Sequence, residues 1–497
     1  MRPLAEFSMS LEEISRAIGA TSKTPTEALA KTIVNGITHT DKDVLPGDIF
    51  LALPGANFHG ATFADSAKAR GAVAVLTNEA GLALCHEIPV LVVNNPREAG
   101  AQLAATLYRH PMRDMHSIGV TGTNGKTTVT TLLAQLFEGA GRDTGFIGTV
   151  ETRIGKDRFA SARTTPEASD LQALAATMRE QHMRHLVMEV SSHAIAQSRM
   201  NGSHFAIVGF TNLSQDHLDF HKTMDEYFQT KAKLFTFEYA DLGFINIDDA
   251  YGAKLFETCE IPKVSISREN TKAQWHYVSH QADSMGAQIS LRGTGGVLIE
   301  AHTALRGGYN LDNLAMAVAI ACESGLDPID VAALIPSLTG APGRLESVKL
   351  GQPFAALVDY AHTPDAVENV LKSAQEFTTG RVIAVLGCGG DRDAAKRPLM
   401  GNALSQGADL AVFTSDNPRS EEPDEILKQM VGGNDPSDKN IVIEDRKSAI
   451  EYAVSQAAPG DTVLVLGKGH EKGQEIKGVI HPFDDLFVLA QAIEAKK

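Results

Sequence analysis

The stretch His116-Ser-Ile-Gly-Val-Thr-Gly-Thr-Asn-Gly-Lys-Thr-Thr128 decides the fold. An apolar run, Ile118 to Thr121, enters a turn with two glycines, a lysine and two threonines. An amphipathic run then follows from Val129 to Ala140. In a strand, glycine turn and helix of this kind, backbone N–H groups converge on phosphate oxygens and the helix N-terminus adds partial positive charge. Lys126 is placed to reach the β- and γ-phosphates, and the Thr127 hydroxyl to ligate magnesium. The strict pattern G-x-x-x-x-G-K-[ST] fails at its first position, where Val120 stands. A bare Gly-Lys-Thr among 43 glycines would say little, but this one lies between a strand and a helix, as the mechanism demands. The expectation is an ATP or GTP site, set against an ordinary Gly-rich turn.

Outward from that loop, apolar runs alternate with helical ones. Strands are expected at Thr144 to Val150, His185 to Val190, Ala206 to Thr211 and Leu242 to Ile247, with helices at Pro166 to Met183 and Thr223 to Phe235. Such alternation gives a doubly wound, mostly parallel sheet. After a break at Gly340-Ala-Pro-Gly-Arg344 the last third repeats it. Its expected strands are Ala355 to Tyr360, Val382 to Gly387, Leu410 to Ser415, Ile441 to Glu444 and Thr462 to Gly467, with a helix at Lys447 to Gln456. Before the loop, a helix at Leu11 to Ile18 and short strands at Ile49 to Leu53, Ala72 to Leu76 and Pro89 to Val93 mark a smaller mixed α/β unit. Within it, the turn-rich Pro54 to Gly60 could hold a ligand or merely connect elements. Arg109 to Asp114 reads as a linker. At 497 residues the chain exceeds what one core supports, so an α/β protein of three domains is expected, at 1–113, 114–342 and 343–497.

Composition excludes several classes. A hydrophobic content of 43% with 21% charged residues argues against long disorder. Cys85, Cys259, Cys322 and Cys388 stand singly, so neither a disulfide framework nor a thiolate zinc site is suggested, and a reducing cytoplasm fits. No run approaches a membrane span, and the first residues lack a signal-peptide core. A formal net charge of −16 disfavours nucleic acid as a partner. A monomer without membrane or nucleic-acid partners is expected.

Four further constellations carry chemistry. In Met188-Glu-Val-Ser-Ser-His193, Glu189 ends a strand and is placed to hold magnesium at the γ-phosphate, although a strand-end glutamate is often merely solvated. Thr211-Asn-Leu-Ser-Gln-Asp-His-Leu-Asp-Phe-His221 offers His217 as a ligand, against a hydrogen-bonded structural cluster. Lys231, on a helix among acids, reads from its neighbours as a solvated face residue. Last come Gly387-Cys-Gly-Gly-Asp-Arg392 with Lys396-Arg397, Ser415-Asp-Asn-Pro-Arg419, and Gly467-Lys-Gly-His-Glu471. These are three loops at strand ends. Together Arg392, Arg419 and Glu471 make a pocket for a zwitterion, with guanidinium for carboxylate and carboxylate for ammonium.

These motifs, with Pro342-Gly-Arg344 and Val358-Asp-Tyr-Ala-His-Thr-Pro-Asp365, resemble the Mur ligases of peptidoglycan synthesis. The resemblance implies an N-terminal domain for the uridine nucleotide, a central ATPase domain and a Rossmann-like C-terminal domain for the incoming amino acid. It implies ATP- and Mg2+-dependent amide ligation of meso-diaminopimelate to UDP-N-acetylmuramoyl-L-alanyl-D-glutamate through an acyl phosphate. By position, Gly122, Thr123, Asn124, Gly125, Lys126, Thr127 and Thr128 would cradle ATP, and Asn313, Arg344 and Asp359 would contact it. Thr127, Glu189, His217 and Lys231 would serve the metal, Lys231 as a carbamate, which revises its solvated reading. Thr164, Thr165, Ser191, Gln197 and Arg199 would grip the UDP-muramoyl-dipeptide. A uridine contact falls on Asp41, in Thr40-Asp41-Lys42, where many relatives have Asp-Ser-Arg. Arg392, Asp416, Asn417, Pro418, Arg419, Gly467 and Glu471 would hold diaminopimelate. With lysine instead, Arg419 would lack its carboxylate and face an ammonium. Competing readings are ligation of lysine, folate polyglutamylation and a nucleotide switch without ligase activity.

Overall fold

A computed structural model of the chain describes residues 2–55, 57–283, 286–432 and 437–496. Among them an eleven-stranded sheet is built outward from His116–Thr121. That strand pairs in parallel with His185–Glu189 on one side and Phe205–Phe210 on the other. Thr144–Ile147 extends one side in parallel; Ala240–Asn246, Lys263–Ser267 and Trp275–Asp283 extend the other. Both flanks then turn antiparallel, through Glu151–Ile154 and Asp157–Ala160 at one edge and Gly286–Arg292 and Leu298–Thr303 at the other. These flanks escape the strand-and-helix pattern because hairpins need no intervening helix.

The strands are apolar on both faces because helices cover both. Ile118, Val120 and Val187 pack against Leu132, Leu133 and Leu136 of Lys126–Gly139 and Leu314 and Val318 of Gly308–Glu323. Leu186 and Met188, the alternate positions, face Leu171, Ala175 and Met178 of Ala168–Glu180. Val120, at the position of the missing glycine, is wholly buried in this core.

The C-terminal unit has six strands in the order Glu346–Ser347, Ala355–Asp359, Thr462–Leu466, Val382–Cys388, Leu410–Ser415 and Asn440–Val442. All pair in parallel except the first. Helices cover both faces of this sheet too, as the two separate cores show. The N-terminal unit carries four parallel strands, Gly36–Thr38, Asp48–Leu51, Ala74–Thr77 and Val90–Val92. Its core continues into Ala173 and Ala176 of the central helix Ala168–Glu180. The loop Pro54 to Gly60 is closed by a bridge between Pro54 and His59, and Ala56 within it lies outside the described residues. All four cysteines are free. Among the described residues no helix is long and apolar enough to cross a membrane.

Candidate active site

The turn after His116–Thr121 is shaped by two glycines. Gly122 has φ +150 and Gly125 φ +86, and a Cβ on either would collide, with the Thr211 hydroxyl and the Asn313 amide respectively. Gly125 is the N-cap of Lys126–Gly139 and brings no side chain to satisfy the first N–H groups of that helix. The loop is braced from the neighbouring strand end. Thr123 N and Asn124 N donate to Asn212 O and Oδ1, both at 2.9 Å, and the Thr211 hydroxyl donates to Asn124 O at 2.6 Å. Lys126 folds over the loop and donates to Gly122 O at 2.9 Å and Thr123 O at 2.8 Å. Burial pushes its ammonium below the ordinary lysine value, with Glu189 opposing.

Beside this loop opens a cavity of about 670 Å³ lined by Asn124, Gly125, Thr128, Asn313, Arg344 and Asp359. Arg344 lies over the Tyr360 ring at 4.7 Å. Asp359 accepts from Leu345 N at 2.7 Å and Ala361 N at 2.8 Å, so its carboxylate also ties the start of the C-terminal unit together. Burial pushes Asp359 up, opposed by Arg344.

Glu189 is fully buried, which overrides the solvated alternative. Its Oε2 accepts from the hydroxyls of Thr127 at 2.9 Å and Thr149 at 3.1 Å, and Oε1 accepts from Thr149 N at 2.6 Å. A hydroxyl and a carboxylate this close are hard oxygen donors of the kind that would suit magnesium. Among the described residues no three His, Cys, Asp or Glu side chains converge as a metal site. His217 stands apart, paired with Asp216 at 3.3 Å and edge-on to His193. Burial holds its imidazole below the usual value despite Asp216, favouring the neutral form that can ligate.

The solvated reading of Lys231 is wrong. Its residue is 1% exposed; Nζ donates to Gly122 O at 2.8 Å and lies 4.7 Å from the centre of the Tyr227 ring. Tyr227 and Lys231, four apart on Met224–Ala232, share the buried face of that helix beneath the phosphate loop. Burial drives the Lys231 ammonium well below the lysine value, and the charge of Lys126 pushes the same way.

On the far side of the loop a cavity of about 1630 Å³ lies between the central and C-terminal units. Thr164, Thr165, Ser191, Gln197, Arg199 and His217 line it from the central unit. The Thr165 hydroxyl donates to Glu189 O at 2.9 Å, and Arg199 donates to Thr165 O at 3.1 Å and pairs with Glu167 at 3.1 Å. Opposite stand Arg392, Asp416, Asn417, Arg419, Gly467 and Glu471, all beyond the carboxyl ends of parallel strands. Arg419 donates to Gly390 O at 2.7 Å and pairs with Glu475 at 3.3 Å. Arg397, 1% exposed, grips Glu421 through both terminal nitrogens and donates to Gly389 O at 3.1 Å, fixing the loop that carries Arg392.

Pro418 and Asp41 stand off the wall of this cavity, Asp41 on the N-terminal unit to which the uridine is assigned. Pro418 is not on the cavity wall; its carbonyl packs on Gly390 and accepts from Glu421 N, so it shapes the turn that presents Arg419. Asp41 begins the short turn Asp41–Asp43 of the N-terminal unit, accepts from the Ser66 hydroxyl at 2.8 Å and lies outside this cavity. Asp216, His362 and Lys396, which stand in the sequence motifs without a role of their own, also line it. Lys396 reaches from the C-terminal unit to within 4.0 Å of Asp216 in the central one. Its neighbours in sequence show no such pairing, because the partner is supplied by another domain.

The chain is similar to known proteins along most of its length. Residues 120–321 match the Mur ligase middle domain, 343–469 the Mur ligase glutamate ligase domain, and 34–109 the domain described as Mur ligase family, catalytic domain. The UDP-N-acetylmuramoyl-L-alanyl-D-glutamate–2,6-diaminopimelate ligase of Streptomyces coelicolor is 48% identical over 472 residues, covering 93% of this chain and 92% of that protein. The chain belongs to the Mur ligase family. The Aquifex aeolicus ligase of the same name is 40% identical, covering 93% of this chain and 94% of that protein. A solved structure of a ligase of that name superposes with a TM-score of 0.69 at 33% identity, covering 98% of this chain and 99% of that one. The MurF ligase of Thermotoga maritima in complex with ADP shares the Mur ligase fold, with a TM-score of 0.64 at 16% identity over 93% of this chain and 97% of that one.

Proposed function

We propose that this Mur ligase joins meso-diaminopimelate to UDP-N-acetylmuramoyl-L-alanyl-D-glutamate in the cytoplasm, driven by ATP. The side-chain carboxylate of D-glutamate attacks the γ-phosphate to give an acyl phosphate and ADP. The amine of diaminopimelate then attacks the acyl carbon, and phosphate leaves as the amide forms. In the loop from Gly122 to Thr128 the N–H groups of the helix start, Gly125 to Thr128, would hold the phosphates while Asn212 braces Thr123 and Asn124, and Lys126 would exchange its loop carbonyls for the more strongly accepting phosphate oxygens. Thr127 and Glu189 would hold Mg2+, which would neutralise charge on the transferring phosphoryl group, and His217, standing apart from that pair, would be a further ligand. Burial lowers the Lys231 ammonium and so favours the amine, the form that takes up CO2, and a carbamate there would add an anion beneath the loop. Thr164, Thr165, Ser191, Gln197 and Arg199 would orient the dipeptide, with the uridine on the N-terminal unit. Arg392, Asp416, Asn417, Arg419, Gly467 and Glu471 would receive the amino acid.

One observation carries this reading: the residues assigned to the dipeptide and those assigned to the amino acid face each other across a single cavity. Phosphate release tests it. Full turnover is expected only with ATP, the UDP-muramoyl-dipeptide and diaminopimelate together. Release indifferent to the last two would make the protein a nucleotide switch instead.

A further inference from the structure

Lys468, in Gly467-Lys-Gly-His-Glu471, has no exposed side-chain surface, although lysine is rarely buried without a partner. It follows the strand Thr462–Leu466, while two of its partners follow Leu410–Ser415, and Val382–Cys388 lies between those strands. The ammonium therefore links loops from non-adjacent strands. Nζ donates to Asp416 Oδ1 at 3.3 Å, Asn417 Oδ1 at 3.0 Å and Glu471 Oε2 at 3.1 Å. Those are all three of its donors.

The amide between the carboxylates is fixed in turn. Asn417 Oδ1 also accepts from Glu475 N at 3.0 Å, and its Nδ2 donates to Glu471 Oε2 at 2.9 Å. One ammonium against two carboxylates leaves the cluster with one negative charge in excess. The bonds to Lys468 engage only one oxygen of each carboxylate, leaving Asp416 Oδ2 and Glu471 Oε1 outside them. Asp416, Asn417 and Glu471 all line the cavity that Arg392 and Arg419 also line.

We infer that Lys468 is a positioning residue for the incoming amino acid, locking Asp416 and Glu471 into a joint receptor for the ammonium of its distal head. Arg419 takes the carboxylate of that head. Without the buried ammonium the two carboxylates would repel across Asn417, and one would swing away. The inference rests on the proposed ligation of diaminopimelate, whose second amino-acid head supplies both charges.

Steady-state kinetics of the full chain, varying diaminopimelate, ATP and the UDP-muramoyl-dipeptide in turn, test it. Lys468→Met is expected to raise KM for diaminopimelate by about tenfold or more while the other two KM values stay within about twofold. Lys468→Arg keeps the charge but not the three-way geometry, and is expected to raise the same KM by less. In a Glu471→Gln background Lys468→Met is expected to add less than in the wild type, because a neutral amide needs no compensating ammonium. Equal rises in all three KM values, or strict additivity with Glu471→Gln, would overturn the inference. If Lys468→Met shows no folding transition, Lys468→Arg decides: a rise confined to diaminopimelate supports the role, and no rise or a uniform one overturns it. A wild type inactive with diaminopimelate would remove the functional reading and the inference with it; an active wild type beside unaffected variants would remove the inference alone.

Discussion

The phosphate loop and the amino-acid pocket each enclose a lysine with almost no exposed surface, Lys231 and Lys468, and hold it by opposite means. Lys231 has neutral partners: the Gly122 carbonyl, the Thr121 hydroxyl and the face of Tyr227. Lys468 has two carboxylates and an amide oxygen. Burial without an anion favours the uncharged amine, the reactive form, whereas burial between anions makes lysine a fixed charge that organises its neighbours. What a buried lysine does is set by its partners, and here Thr121 and Gly122 reach Lys231, and Asp416 and Asn417 reach Lys468, from other parts of the chain.

The contrast can be broken at several points, the largest through charge pairing behind the amino-acid pocket. Arg446 and Asp485 are both fully buried and paired at 2.6 Å. Arg446 also donates to the carbonyls of Ser415 and Leu466, the residues just before Asp416 and Gly467. Asp485→Ala would leave the guanidinium buried without its anion and is expected to cost about 3–5 kcal/mol in denaturant unfolding. A loss under about 1 kcal/mol would mean that charge pairing does not brace this pocket. Next comes Lys231→Ala, expected to lower kcat by about a hundredfold or more, with partial rescue by added short carboxylates standing in for a carbamate. Absence of rescue would leave the carbamate unsupported. Arg419→Ala is expected to raise KM for diaminopimelate by roughly tenfold to a hundredfold, the loss of a charge-assisted bond, with little change in KM for ATP. Equal effects on both would take Arg419 out of the amino-acid site. The smallest effect is expected at the rim, where Glu475 pairs with Arg419 but is 39% exposed. Glu475→Gln should change KM for diaminopimelate by less than about threefold, and a larger change would place Glu475 inside the receptor.

How much of this was legible in the sequence follows the same divide. The phosphate loop is contiguous, and its strand, glycines, lysine and helix could be read in order. Most parallel strands are visible as apolar runs because both of their faces are buried, whereas the short Gly36–Thr38 and the Lys263–Ser267 strand, with its alternating serines, are not. The antiparallel flanks at 151–160 and 275–303 were not, since Asp157–Ala160 is exposed along its length and hairpin strands lack intervening helices. Lys231 reads as solvated from its acidic neighbours alone, and only the family resemblance revises that, because its burial depends on the loop above it. Lys468 stood in a quoted motif, yet its role needs Asp416 and Asn417 brought over an intervening strand. Pro418 reads like its neighbours in the Asp-Asn-Pro-Arg run, but the turn points its carbonyl at Gly390 instead of the cavity.

The central claim is the identity of the bond this chain makes. A product-mass assay with ATP, the UDP-muramoyl-dipeptide and a panel of amino acids tests it most directly. The account predicts a mass gain of one diaminopimelate residue with the meso isomer and little or none with lysine; product formed from lysine, with diaminopimelate inert, would contradict it.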